Sequence, residues 1–89
     1  MLDQKTEDNM HMALNDIMNE FVRAATKFGP MNSAHEGYAV ILEEMDELWD
    51  HVKMNQTKRD MAAMRTEAVQ CAAMCLKFIV NICDTNNRT

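Results

Sequence analysis

Apolar residues recur every three or four positions along three stretches of the chain, and that rhythm predicts three helices. In the first stretch Met10, Ala13, Leu14, Ile17, Met18, Phe21, Ala25 and Phe28 share one side of a helix running from about Glu7 to Lys27. Gly29 and Pro30 then end it, since neither continues a helix. Ser33, followed three residues later by Glu36, has the pattern of a capping box and starts a second helix near Ala34. Its stripe is Tyr38, Ile41, Leu42, Met45, Leu48, Trp49 and Val52. Met54 to Arg59 is a polar connection in which Asn55 or Thr57 caps a third helix, from about Lys58 to Cys83. The chain therefore reads as all-α, one domain over residues 1–89.

The third helix is apolar around most of its circumference. Met61, Met64, Val69, Cys71, Met74, Leu76, Phe78, Ile79, Val80 and Ile82 leave too much oily surface for three helices to cover, so a second subunit is expected. A homodimer or a dimer of dimers, with an interface over Val69 to Ile82, would complete four-helix bundles. The polar exceptions, Glu67, Gln70, Lys77 and Asn81, fall in one narrow stripe. Lys77 and Asn81 there read either as a line of side chains reaching solvent or as contacts to a bound substrate.

Composition narrows the picture. With 89 residues there is room for one domain, and 47% hydrophobic with 26% charged residues is a globular balance. Two glycines, one proline and ten methionines favour helix over strand. The net charge of −5 argues against nucleic acid or an anionic membrane as partner, because either would need a basic patch. Cys71, Cys75 and Cys83 lack the histidines or further cysteines that zinc would want, and read as buried thiols of a reducing cytoplasm. The amino terminus has no secretory pattern, and the apolar run from Ala68 to Cys83, interrupted by Gln70, Lys77 and Asn81, is short for a membrane span of ~20 residues. A cytoplasmic location is expected.

The acidic residues carry the chemistry. Glu43-Glu44-Met45-Asp46-Glu47 lies within the second amphipathic stretch, and Glu67 lies within the apolar third one. Glu44 and Glu47, three residues apart, sit about 60° apart around the axis and flank the apolar stripe. A short connection makes the second and third helices antiparallel, so that Glu67 can face them. Carboxylates gathered at one level repel one another, and a hard divalent cation such as Mg²⁺ removes that repulsion. The other reading is a solvated acidic face on a helical oligomerisation or regulatory module. A di-iron bundle is excluded by the lack of Glu-x-x-His, and no glycine-rich phosphate loop is present.

Over about Asn32 to Cys83 the chain resembles the MazG-like nucleoside triphosphate pyrophosphohydrolases. Glu43-Glu44-Met45-Asp46-Glu47 matches that family's EExxE, and Glu67-Ala68-Val69-Gln70 matches its ExxD except that the final Asp is Gln. His35-Glu36-Gly37-Tyr38 and Leu48-Trp49-Asp50 are also similar to a small subgroup of the family. The resemblance implies metal ligands at Glu44, Glu47 and Glu67, with Gln70 in the fourth place, where an amide oxygen coordinates without bringing charge. It implies Mg²⁺, with Mn²⁺ as the substitute, and water attack on the α-phosphorus of a nucleoside triphosphate. Glu43 and Glu47 would be the catalytic carboxylates, handling the proton of that water, and Lys77 and Asn81 the substrate contacts.

Overall fold

The computed structural model describes residues 1–85, and among these there is no strand. Helix α1 spans Gln4–Phe28, α2 spans Ala34–Val52 and α3 spans Met61–Phe78, the last continuing as a π-helical segment over Ile79–Asp84. A single 3-10 turn, Gln56–Lys58, lies between α2 and α3. The all-α, three-helix expectation holds.

The helix ends differ from expectation where side chains outside the apolar rhythm decide them. Helix α1 begins at Gln4 and not Glu7, because Asp3 accepts a hydrogen bond from the Thr6 amide at 2.7 Å and caps it. It closes at Gly29, whose φ of +74° suits glycine and whose N–H donates to the Ala25 carbonyl at 3.1 Å. At the start of α2 the Ser33 hydroxyl accepts from the Glu36 amide at 3.1 Å, while the Glu36 carboxylate accepts from Asn32 at 3.3 Å instead of reaching back. Arg59 seals the far end, donating twice to the Val52 carbonyl at 3.0 and 2.7 Å. Asn55 caps the 3-10 turn, and Asp60 caps α3 by accepting from the Ala63 amide at 3.1 Å. The third helix therefore starts at Met61, later than the expected Lys58. Its α-helical pattern stops at Phe78, before the expected Cys83, where the ladder widens to π.

Helix α3 is central and packs against both α1 and α2. The fully buried apolar residues are Ala24, Met31, Ala73 and Met74, with Ile17, Phe21, Val40, Ile41, Phe78 and Ile82 packed around them. So α3 uses part of its apolar circumference on two neighbours within the chain. Apolar surface stays open on all three helices: on α1 at Leu14, Met18 and Val22, on α2 at Leu42, Met45 and Trp49, which is 57% exposed, and on α3 and its continuation at Met61, Ile79 and Val80. Within the stretch Val69 to Ile82 expected to meet a second subunit, Ala73 and Met74 are buried inside the chain, whereas Ile79 and Val80 face outward. A radius of gyration of 14.9 Å, against about 12 Å for a compact chain of this length, fits that open arrangement. The cysteines also depart from expectation, since Cys75 and Cys83 are exposed and only Cys71 is partly buried.

The continuous helix Met61–Asp84, with a mean hydropathy of 1.3, is by length and composition apolar enough to cross a membrane, longer than the run the sequence pattern picked out. Its packing against two amphipathic helices, and the presence of Arg65, Glu67 and Lys77 within it, are also what a core helix requires.

Gly37 is buried on α2 where Phe78 and Met31 close against it. A Cβ there would lie 2.6 Å from a Phe78 ring carbon and 3.0 Å from the Met31 sulfur. Gly37→Ala gains about 1 kcal/mol of helix propensity but overpacks the site at a cost of about 1–3 kcal/mol. We expect a net loss of about 1 kcal/mol, read as a melting temperature lower by about 4–8 °C. An unchanged or higher melting temperature would mean that Phe78 is free to turn away.

Candidate metal centre

Glu44 and Glu47 project from one side of α2, and Glu67 meets them from α3. One carboxylate oxygen from each lies within 4.8 Å of the other two. The three were brought together in the expected way, by antiparallel packing across a short connection. Glu47 is exposed, whereas Glu44 and Glu67 are half-buried. One oxygen of each of those two is shut off from solvent and has no hydrogen-bond partner among the described residues. A buried, unmatched carboxylate oxygen is costly, and two at one point form a strongly electronegative pocket.

The electrostatics follow. Burial pushes the Glu44 carboxyl up to about 7, helped by the charge of Glu47, hydrogen bonding with it, and the charges of Glu67 and Glu43. Glu67 is raised as well, by burial and then by hydrogen bonding and charge from Glu47, with His51 acting in the opposite direction. Without a cation Glu44 therefore keeps its proton well above the usual carboxylate range. A cation offers the alternative. Oxygens bound to Mg²⁺ at ~2.1 Å are at most ~4.2 Å apart, and those bound to Ca²⁺ at ~2.3–2.6 Å up to ~5 Å. The 4.8 Å limit on the trio falls within the Ca²⁺ range as it stands, and Mg²⁺ would draw the oxygens closer together.

The remaining expected residues lie nearby but do different things. Gln70 borders two cavities, one of about 380 Å³ shared with Glu43 and Glu44, the other of about 300 Å³ shared with Arg65 and Thr66. Glu43 is exposed at the edge of the first. Lys77 does not reach solvent as a stripe residue would: it is 5% exposed, and its ammonium donates to the Gly29 carbonyl. The Asn81 side-chain oxygen accepts from the Met31 amide at 2.9 Å. Both thus hold the corner between α1 and α2 against α3.

Helix α1, which the acidic pattern left out, also enters the site. Arg23 lines both cavities, forms a two-point pair with Glu20 at 2.6 and 2.9 Å, and has its charge favoured by Glu44. The signal was present in a Glu-x-x-Arg pair beside the buried Ala24. Burial raises the Cys71 thiol pKa, with Cys75 and then the Glu44 carboxylate acting in the same direction.

No protein-family model, curated protein or solved structure matches this chain. What the site can do rests on its own geometry: three convergent carboxylates, two of them desolvated, at the mouth of a cavity.

The stability of the metal-free protein should fall with rising pH. Glu44 has a folded-state pKa of about 7 against an ordinary 4.5, so across that interval the folded chain keeps a proton that the unfolded chain has lost. The penalty is absent below about 4.5, grows through the interval and is complete above about 7. In EDTA, Glu44→Gln should flatten the decline and melt higher than the wild type at alkaline pH. Parallel curves for the two proteins would place the penalty elsewhere.

Proposed function

We propose that the protein is a Mg²⁺-dependent nucleoside triphosphate pyrophosphohydrolase of the MazG-like kind, producing a monophosphate and pyrophosphate. The observation that carries the reading is the convergence of Glu44, Glu47 and Glu67, with two orphaned buried oxygens, beside a cavity of about 380 Å³. An acidic chain with a net charge of −5 cannot attract a polyphosphate by itself. Mg²⁺, or Mn²⁺ in its place, supplies neutralisation of phosphate oxygens and acidification of water when bound.

The chain's own residues then divide the work. Glu44, Glu47 and Glu67 hold the cation, and the Gln70 amide, one turn beyond Glu67, adds an uncharged oxygen. Glu43 at the cavity edge accepts the proton of the attacking water, and Glu47 orients that water. The new bond forms at the α-phosphorus, the α–β anhydride bond breaks, and pyrophosphate leaves. Lys77 and Asn81 contribute on the substrate side by shaping the corner that walls the cavity. The assembly we propose is a homodimer or dimer of dimers in the cytoplasm, with no nucleic-acid or membrane partner.

The open apolar faces of α1 and α2 favour a second reading, a non-catalytic oligomerisation or regulatory module that keeps an acidic face. Metal separates the two, because a ligand that binds only the folded state at 100 times its dissociation constant stabilises it by about 2.7 kcal/mol.

On the enzyme reading, millimolar Mg²⁺ or Mn²⁺ raises the melting temperature and supports pyrophosphate release from a nucleoside triphosphate panel. Glu47→Gln should abolish that release, and Gln70→Leu should lower it and weaken the metal dependence. Flat baselines across the panel, with no thermal response to metal, would leave the module reading.

Assembly gives a separate check. Light scattering should report at least twice 10.2 kDa, and Trp49→Glu should shift the population towards the monomer by placing a charge on the open face. A well-folded wild-type monomer at micromolar concentration would rule the assembly out.

A further inference from the structure

The larger cavity has a mixed lining. Glu43 and Glu44 join it to the carboxylate trio, and Arg23 and Lys77 are its cations. Ala24, Phe28, Met31, Val40 and Met74 add an apolar slot that suits a flat ring. Lys77 lines this cavity, ten residues beyond Glu67 on α3, or about 15 Å along the axis. The cavity therefore runs between the carboxylates and a cation set well apart from Glu67 along the same helix, as a site for an extended ligand would.

Lys77 is unusual for a buried cation. None of the ion pairs among the described residues involves it, and its hydrogen-bond partner is the neutral Gly29 carbonyl. An ammonium has three donors and no acceptor. With one donor spent on Gly29, two remain for whatever enters the slot.

We propose that this slot is the nucleobase pocket and that Lys77 selects bases presenting a keto oxygen. The proposal rests on the pyrophosphohydrolase reading and sharpens it to a substrate class. A donor-only group accepts the O6 of a 6-oxopurine or the carbonyls of uracil and thymine, and meets an exocyclic amino group with like polarity. A site built of donors rejects the wrong partner strongly, because its buried polar group is then left unmatched.

Inosine and adenosine triphosphates differ at the 6-position and are the discriminating pair. With the full chain and Mg²⁺, we expect kcat/KM and equilibrium binding by calorimetry each to favour inosine triphosphate by at least about tenfold. Lys77→Met should bring both ratios close to one. Because Lys77→Met also frees the Gly29 carbonyl and could unfold the corner, Lys77→Arg serves as a second variant that keeps the tether and the donors and should retain the preference. Val40→Phe, which fills the slot, should weaken binding of both nucleotides. Turnover with no preference between the two nucleotides would overturn the pocket assignment and leave the hydrolase standing. Preferential binding lost in Lys77→Met, without turnover, would uphold the pocket and remove the hydrolase. Neither binding nor turnover would overturn both.

Discussion

The close approach of Glu44 on α2 to Glu67 on α3 is the constraint around which the molecule is arranged. Two carboxylates with desolvated, unmatched oxygens do not come together by attraction. They are held there because α3 packs simultaneously on α1 and α2, so apolar burial along its length overrides repulsion at one level of it. Burial first, and the neighbouring carboxylates after it, raise the Glu44 and Glu67 pKa values, and the proton that Glu44 keeps up to about 7 lowers the charge at that point. A divalent cation does the same job with more energy. Site and scaffold are thus in tension, as at many sites where function is carried at the expense of stability.

That tension sets what was legible in the sequence. Helix positions were legible because apolar periodicity is a property of each segment alone, and so was the facing of Glu67 towards Glu44 and Glu47, since a short connection leaves antiparallel packing as the simple solution. Helix ends were less so. Asp3 and Asp60 cap helices from outside the apolar rhythm, and the π-helical segment after Phe78 contains Asn81, whose partner is the Met31 amide fifty residues away in the chain. For Lys77 the sequence offers a side chain reaching solvent or a substrate contact, and its buried tether is not legible there for a similar reason. Its partner is a carbonyl exposed by the end of α1, and no local pattern announces which carbonyl will be left free.

The corner between α1 and α2 joins these features. Gly29 turns the chain, and its carbonyl takes the Lys77 ammonium while the Met31 amide finds Asn81. Met31 is thereby carried into the core beside Phe78, against the missing side chain of Gly37. Two polar anchors and one glycine fix the wall of the cavity next to the acidic trio. The polar stripe on α3 divides along the helix: Glu67 joins the acidic trio, Gln70 borders the two cavities, and Lys77 and Asn81 hold the corner.

The open faces of α1 and α2 follow from the same allocation. Although α3 buries part of its apolar surface inside the chain, the outer helices each keep a second apolar side, with Leu14, Met18 and Val22 on one and Leu42, Met45 and Trp49 on the other, and Ile79 and Val80 stay open at the end of the third. On α2 that side includes Met45, the residue between Glu44 and the rest of the acidic run, so whatever covers it also restricts water around the trio. Excluding water from a carboxylate cluster strengthens every interaction within it, repulsive when empty and attractive when a cation is bound. On the proposed reading, covering α2 would therefore destabilise the empty site and favour the loaded one, and a single helix would couple assembly to metal.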